Sequence, residues 1–241
     1  MNAQSTFTTM PAAARLAVVL FGLLGSAAVV YAAISQMGFA PGRLFLLMAG
    51  AAVCARAKVR LYKTSTISLL TSVVLLAIIR EGLASAMIVA VFGVMVQTVV
   101  PSKRLVMHQL AFNFGMIVVT VSATWFAHQS LTAARIAGPV STESMATLLA
   151  SFVYFLGNSI SVSMIIALST KVSMAEVWLK HFMYSAPSFL LAGVLSLGVV
   201  ALISSQGLTV VLALVVVSSI VYYTSIRLAG NLPAGELGIT E

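Results

Sequence analysis

The sequence predicts an all-α integral membrane protein, a polytopic transmembrane helical bundle of about eight spans with both termini in the cytoplasm. Three observations carry this reading. Of the 241 residues, 61% are apolar and only 7% are charged, whereas a soluble domain is about 45–50% apolar and about 25% charged. Mean hydropathy is +1.10. The 13 Lys and Arg residues, once the apolar runs are laid out as spans, divide ten to one side of the bilayer and three to the other, the asymmetry that orients membrane helices.

A helix crossing about 30 Å of hydrocarbon needs roughly 20 mostly apolar residues. The first span covers 16 to 34; its apolar run is longer than the roughly 7 to 15 residues of a cleaved signal-peptide core, so it is read as a retained helix. The second covers 39 to 55, with Pro41 and Arg43 crowding its start. The third covers 64 to 79 and is short and polar, carrying Thr64, Ser65, Thr66, Ser68, Thr71 and Ser72. Charge decides in favour of counting both. Dropping the two would strand Arg56, Lys58, Arg60 and Lys63 outside, and dropping one would invert everything downstream. The fourth, fifth and sixth spans cover 83 to 100, 106 to 127 and 146 to 168.

Between the sixth and seventh spans, Ser173 followed by Glu176 has the spacing of a capping box, with the serine as N-cap and the glutamate reaching back to its amide. The helix it starts, over 173 to 183, mixes Val177, Trp178, Phe182 and Met183 with Lys180 and His181. That mixture predicts a helix on the membrane surface, its indole at headgroup depth. The seventh and eighth spans cover 187 to 204 and 207 to 225. The domain organisation is a cytoplasmic segment over 1–15, a transmembrane domain over 16–227 and a cytoplasmic tail over 228–241. Inside lie Arg15, Arg56, Lys58, Arg60, Lys63, Lys103, Arg104, Lys171, Lys180 and Arg227; outside lie Arg43, Arg80 and Arg135.

A net charge of +8 and a pI near 10.1 are read as topology signals that also meet anionic lipid headgroups. No basic run is interleaved with aromatics, so nucleic acid is not an expected partner. The bilayer is one, a small molecule a second and a cytoplasmic signalling protein a third. The acids are Glu81, Glu143, Glu176, Glu236 and Glu241, and there is no aspartate. No carboxylate pair has helical spacing within a span, which removes two-carboxylate hydrolysis and a carboxylate metal cage. His108, His128 and His181 are isolated from one another, and Cys54 is alone, so neither a metal nor any cofactor is expected. Phosphate-binding loops and nucleophile elbows are absent from the sequence. The chain is therefore read as non-catalytic.

Polar side chains inside spans mark either helix contacts or a site. Gln97, Gln109, Asn113 and Asn158 are the candidates. Their amides suit an interhelical bond or a neutral polar ligand equally in chemistry. Arg80 and Glu81 adjoin each other at a span end, where helical neighbours point about 100° apart and need not pair. Gly22 and Ser26, one turn apart, suit close helix packing. A short echo, Phe112-Asn113-Phe114-Gly115 against Tyr154-Phe155-Leu156-Gly157, is within chance for this composition and is not read as internal repetition.

Taken in order, KVRLYKTSTISLL from Lys58, Gln97 closing a span, PSKR, LAFNFG, YFLGNSISVSMIIAL, AEVWLKHF and SAPSFLLAG form a series. It resembles the membrane-embedded N-terminal sensory region found ahead of HD-type phosphohydrolase and GGDEF diguanylate cyclase domains in many bacteria. The resemblance covers about residues 58 to 227 and implies a sensory or ligand-binding role, carried on Gln97, Asn113, Asn158 and Trp178, in a bacterial inner membrane. Beyond Arg227 fourteen residues remain, so no catalytic domain of that family is expected in this sequence, which is read either as a stand-alone membrane module signalling through a separate partner or as a portion of a longer protein. The arrangement also looks broadly like the substrate-binding subunits of energy-coupling-factor vitamin transporters. The expected function is a non-catalytic sensor whose fifth and sixth spans line a pocket and whose Trp178 helix relays the change; the alternative is a small-molecule transporter or its substrate-binding subunit.

Overall fold

A computed structural model describes residues 7, 10–35, 38, 40–56, 58–62, 65–99, 106–134 and 141–206. The chain divides into two compact units, Met1–Leu197 and Gly198–Glu241; of the second, only the end of its entering helix is among the described residues. The architecture is helical. In order come α1 (Ala12–Ser35), α2 (Pro41–Arg56), a hairpin of β1 (Lys58–Tyr62) and β2 (Ser65–Ser68), α3 (Leu69–Glu81), α4 (Leu83–Val99), α5 (Met107–Ala134), α6 (Thr142–Thr170), α7 (Met174–His181) and α8 (Ala186–Gln206).

Among the described residues, four stretches are long and apolar enough to cross a membrane: Ala12–Ser35, Met107–Ala134, Thr142–Thr170 and Met174–Ile203, with Leu83–Val99 a shorter apolar helix. They present large apolar side chains outward, Leu23 at 63% and Ile34 at 72% exposure on α1 among them. A water-soluble surface rarely carries such a continuous patch. The chain is accordingly a membrane protein. The spans read at 16–34, 39–55, 83–100, 106–127, 146–168 and 187–204 fall on α1, α2, α4, α5, α6 and α8. The span at 207–225, the tail at 228–241, Lys63, Lys103, Arg104 and Arg135 lie outside the described residues.

The third span starts later than its apolar run suggests. Residues 65–68 pair with 58–62 in antiparallel register, Lys58 opposite Ser68, Val59 opposite Ile67 and Arg60 opposite Thr66, with an irregularity between Arg60 and Tyr62. Hydroxyl and β-branched residues favour this extended form over helix. What remains, α3, has 13 residues, about 20 Å at 1.5 Å per residue, well short of a hydrocarbon core of about 30 Å.

Helix α1 runs parallel to α5, shown by the ring pairs Phe21–Phe112 and Tyr31–Phe126 at centroid distances of 5.2 and 5.9 Å. The two backbones touch where they cross. A Cβ on Gly115 would lie 2.2 Å from the Phe21 carbonyl oxygen, and one on Gly25 would lie 2.7 Å from the Gly115 Cα. Helices α5 and α6 pack against each other; there a Cβ on Gly157 would meet the Thr120 side chain at 2.9 Å. The echo between the two aromatic-Gly motifs thus has a packing cause: each glycine is a point where a neighbouring helix comes close.

Helix α3 doubles back into α4 through Gly82, whose φ of 86° is open to glycine at little cost. Arg43 at the start of α2 reaches Glu81 at the end of α3, Nη1 to Oε1 3.1 Å. Glu81 therefore pairs across helices and not with its neighbour Arg80. The main core gathers Val74, Leu75 and Ile78 of α3, Leu83 and Val89 of α4, Ile117 and Val121 of α5 and Tyr154 of α6, all buried. Within this frame α6 presents its second half to α7.

Candidate functional site: the α6–α7 groove

Helix α6 begins on a side-chain cap, the Ser141 hydroxyl accepting the Ser144 amide at 3.2 Å. It ends at Lys171, whose φ of 60° is left-handed and whose N–H returns to the Ala167 carbonyl at 2.8 Å. This reversal lets the chain fold back at once. Ser173 is the N-cap of α7, as its spacing predicts, but its side chain makes no cap bond. The reciprocal half of the box is missing because the Glu176 carboxylate turns forward one helical turn and accepts Lys180 Nζ at 2.6 Å.

The Trp178 indole N–H donates to the Ser159 hydroxyl at 2.9 Å. Ser159 is buried and stands eleven residues before the end of α6 at Thr170, about 16 Å back along the helix. The helix expected over 173–183 is present as Met174–His181. It packs back against α6, and after a 3₁₀ turn over Met183–Ser185 the chain continues as α8, with Pro187 in its first turn. The physical reason is that an indole away from water needs an acceptor, and the buried serine supplies it.

Aromatic contacts extend the docking. Phe155 lies 6.2 Å from Trp178 and 5.3 Å from Phe189, ring centre to ring centre, and Tyr154 lies 6.0 Å from Phe189. The Ser151 hydroxyl donates to the Phe189 carbonyl. Beside the indole an open groove of about 460 Å³ is lined by Leu156, Ile160, Met174, Ala175 and Trp178. Apolar walls with one indole edge suit a hydrocarbon portion of a ligand. They offer no nucleophile, acid or base.

The four amide candidates do not line this groove. Asn113 donates from Nδ2 to the Thr98 hydroxyl at 3.3 Å, and Thr98 in turn donates to the Val94 carbonyl at 2.8 Å; the pair clips α5 to α4. Gln97, beside Thr98, is half-buried, and Gln109, one turn before Asn113, is exposed. Asn158 is half-buried and adjoins Ser159, while its own amide makes no hydrogen bond among the described residues. Trp178 is the one sequence candidate that lines the groove. Ser159, Phe155, Leu156 and Ile160 were not legible as site residues. Their only sequence signal was proximity to Asn158.

No protein-family model matches the chain, and no curated protein or solved structure matches it.

Proposed function

We propose that the chain is a non-catalytic sensory or small-ligand-binding module of a bacterial inner membrane, in which the apolar part of a ligand enters the α6–α7 groove and α7 passes the event to a cytoplasmic partner. The observation carrying this reading is that, among the described residues, α7 is fastened to α6 by one side-chain hydrogen bond, Trp178 to Ser159, at the wall of an open groove. A helix of eight residues is not stable alone, so its position depends on those contacts. A ligand that prefers one position of α7 over the other shifts the balance between them by its differential affinity. Trp178 serves as both wall and fastening.

The eight-span arrangement with cytoplasmic termini belongs to the same proposal. It is supported by the ten-to-three division of basic residues; the parallel course of α1 and α5 excludes counting one of the spans at 39–55 and 64–79 without the other. In a Cys54→Ser background, a cysteine at Lys63 is expected to react only with reagent supplied from the cytoplasmic side. Reaction from the opposite side overturns the topology.

The groove is tested in proteoliposomes with Trp125→Phe, leaving Trp178 as the one indole. A spin-labelled fatty acid is expected to quench its fluorescence saturably, and the groove-filling variant Ile160→Phe is expected to weaken that quenching. Quenching that is linear in probe and equal in both variants sinks the reading. The second reading, a transporter, is favoured by one observation, the interruption of the Met174–Ile203 stretch at Met183–Ser185, because broken helices flank substrate sites in transporters. Net flux of the bound fatty acid across the bilayer, beyond its spontaneous rate in protein-free vesicles, selects this second reading.

A further inference from the structure

Along the second half of α5 and the first half of α6, three polar groups are buried without a hydrogen-bond partner among the described residues. His128 is 5% exposed, and neither ring nitrogen has a hydrogen bond; Thr147 is 0% exposed, and its hydroxyl has none. The Trp125 indole N–H, nearly a turn before His128, is likewise buried and unpaired. On the same stretch of α5 the Thr124 and Thr132 hydroxyls are satisfied by their own helix, on the Thr120 carbonyl at 2.7 Å and the His128 carbonyl at 2.8 Å. The other buried side-chain atoms without a partner among the described residues, Arg15 Nε and Ser72 Oγ, lie elsewhere.

The levels of His128 and Thr147 are close, and Trp125 stands somewhat nearer the crossing of the two helices. The contact of Gly157 with Thr120 fixes the register of the two helices. Counted from it at 1.5 Å per residue, His128 stands about 12 Å and Thr147 about 15 Å along the seam. Glu143, one turn before Thr147 on α6, is exposed. A neutral imidazole offers one donor and one acceptor, a hydroxyl offers both, and the indole offers a donor. Buried groups of this kind in native proteins are satisfied, by internal water where no protein partner exists. With a single metal-type ligand and no carboxylate buried among them, they do not form a cation site.

We propose that His128, Thr147 and Trp125 form an internal site for a small neutral ligand carrying both a hydrogen-bond donor and an acceptor, a water or a solute of alcohol or amide type. This site is independent of the α6–α7 groove and takes a different chemical class. It makes this part of the α5–α6 seam a polar compartment inside the bundle.

The test uses the full chain in lipid nanodiscs with ¹⁵N-histidine and the changes His108→Gln and His181→Gln, so that His128 gives the only imidazole signal. Magnetisation transfer to its ring N–H is expected from water protons, or from the carbon-bound protons of a co-purified solute that native mass spectrometry also detects; the first identifies water and the second the solute. Thr147→Val is expected to reduce the transfer severalfold while the fold is retained. Absence of transfer from either source, with His128→Leu raising the thermal midpoint as removal of a truly orphaned group does, overturns the proposal.

Discussion

Gly115→Val is expected to leave little folded protein in detergent extracts. The obstacle is backbone: the added Cβ alone would sit 2.2 Å from the Phe21 carbonyl oxygen and 2.8 Å from the Gly22 nitrogen. Neither atom can move as a side chain would, so α1 must separate from α5 along its length. Overpacking a well-filled interior costs about 1–3 kcal/mol when side chains can adjust; a rigid backbone contact belongs above that range. Against a total stability of about 5–15 kcal/mol, this removes a large share. Gly25→Ala is expected to follow the same trend because its Cβ would meet the Gly115 Cα at 2.7 Å. Gly22→Ala is the control, with nothing within 4 Å of the added carbon and a gain in helix propensity of up to about 1 kcal/mol. Thermal midpoints and monodisperse yield rank the three. Equal midpoints for Gly115→Val and Gly22→Ala would remove the proposed contact between α1 and α5.

The second large effect is expected at Trp178→Ala. The side chain is half-buried, so truncation costs less than the about 3–5 kcal/mol of a core aromatic; about 2 kcal/mol is the expected loss, confined to the attachment of α7. Ser159→Ala removes only the acceptor and is expected to cost about 1 kcal/mol. Trp178→Phe keeps a ring against Phe155 and falls between them. Hydrogen exchange over 174–181 is expected to speed up in this order while α4 and α5 stay protected. Ser173→Ala is the matched control, since that side chain makes no cap bond. Unchanged exchange in Trp178→Ala would mean that α7 is held by something other than the indole, and the sensory reading would lose its moving part.

Membrane class and most helix positions were legible because they depend on local composition. Runs rich in Leu, Val and Ala can satisfy their backbone only as helices in lipid. The start of α3 was less legible. Apolar content placed 64–79 in one helix, whereas Thr66, Ile67 and Val59 carried a competing preference for extended backbone that becomes decisive only when the two segments pair. Helix α7 was legible as a helix but not in its placement. Val177 and Trp178 on one side and Lys180 on the other describe equally a helix on a lipid surface and one folded against a span. The deciding partner, Ser159, lies 19 residues earlier, beyond any local pattern. Asn113 came with two readings, of which its bond to Thr98 is the helix-contact one. Nothing in the spacing distinguished it from Asn158, which has no such partner among the described residues.

The interruption between α7 and α8 is written into covalent structure. Pro187 has no N–H to give the Met183 carbonyl, and its ring crowds that oxygen; the Ala186 N–H takes the carbonyl instead, in 3₁₀ fashion. Helical hydrogen bonding therefore cannot pass smoothly from α7 into α8. In the proposed sensory reading this joint would be the pivot: a rotation of α7 about it would break few of the bonds that hold α8 straight, and the work of moving α7 would be set mainly by what it grips on α6.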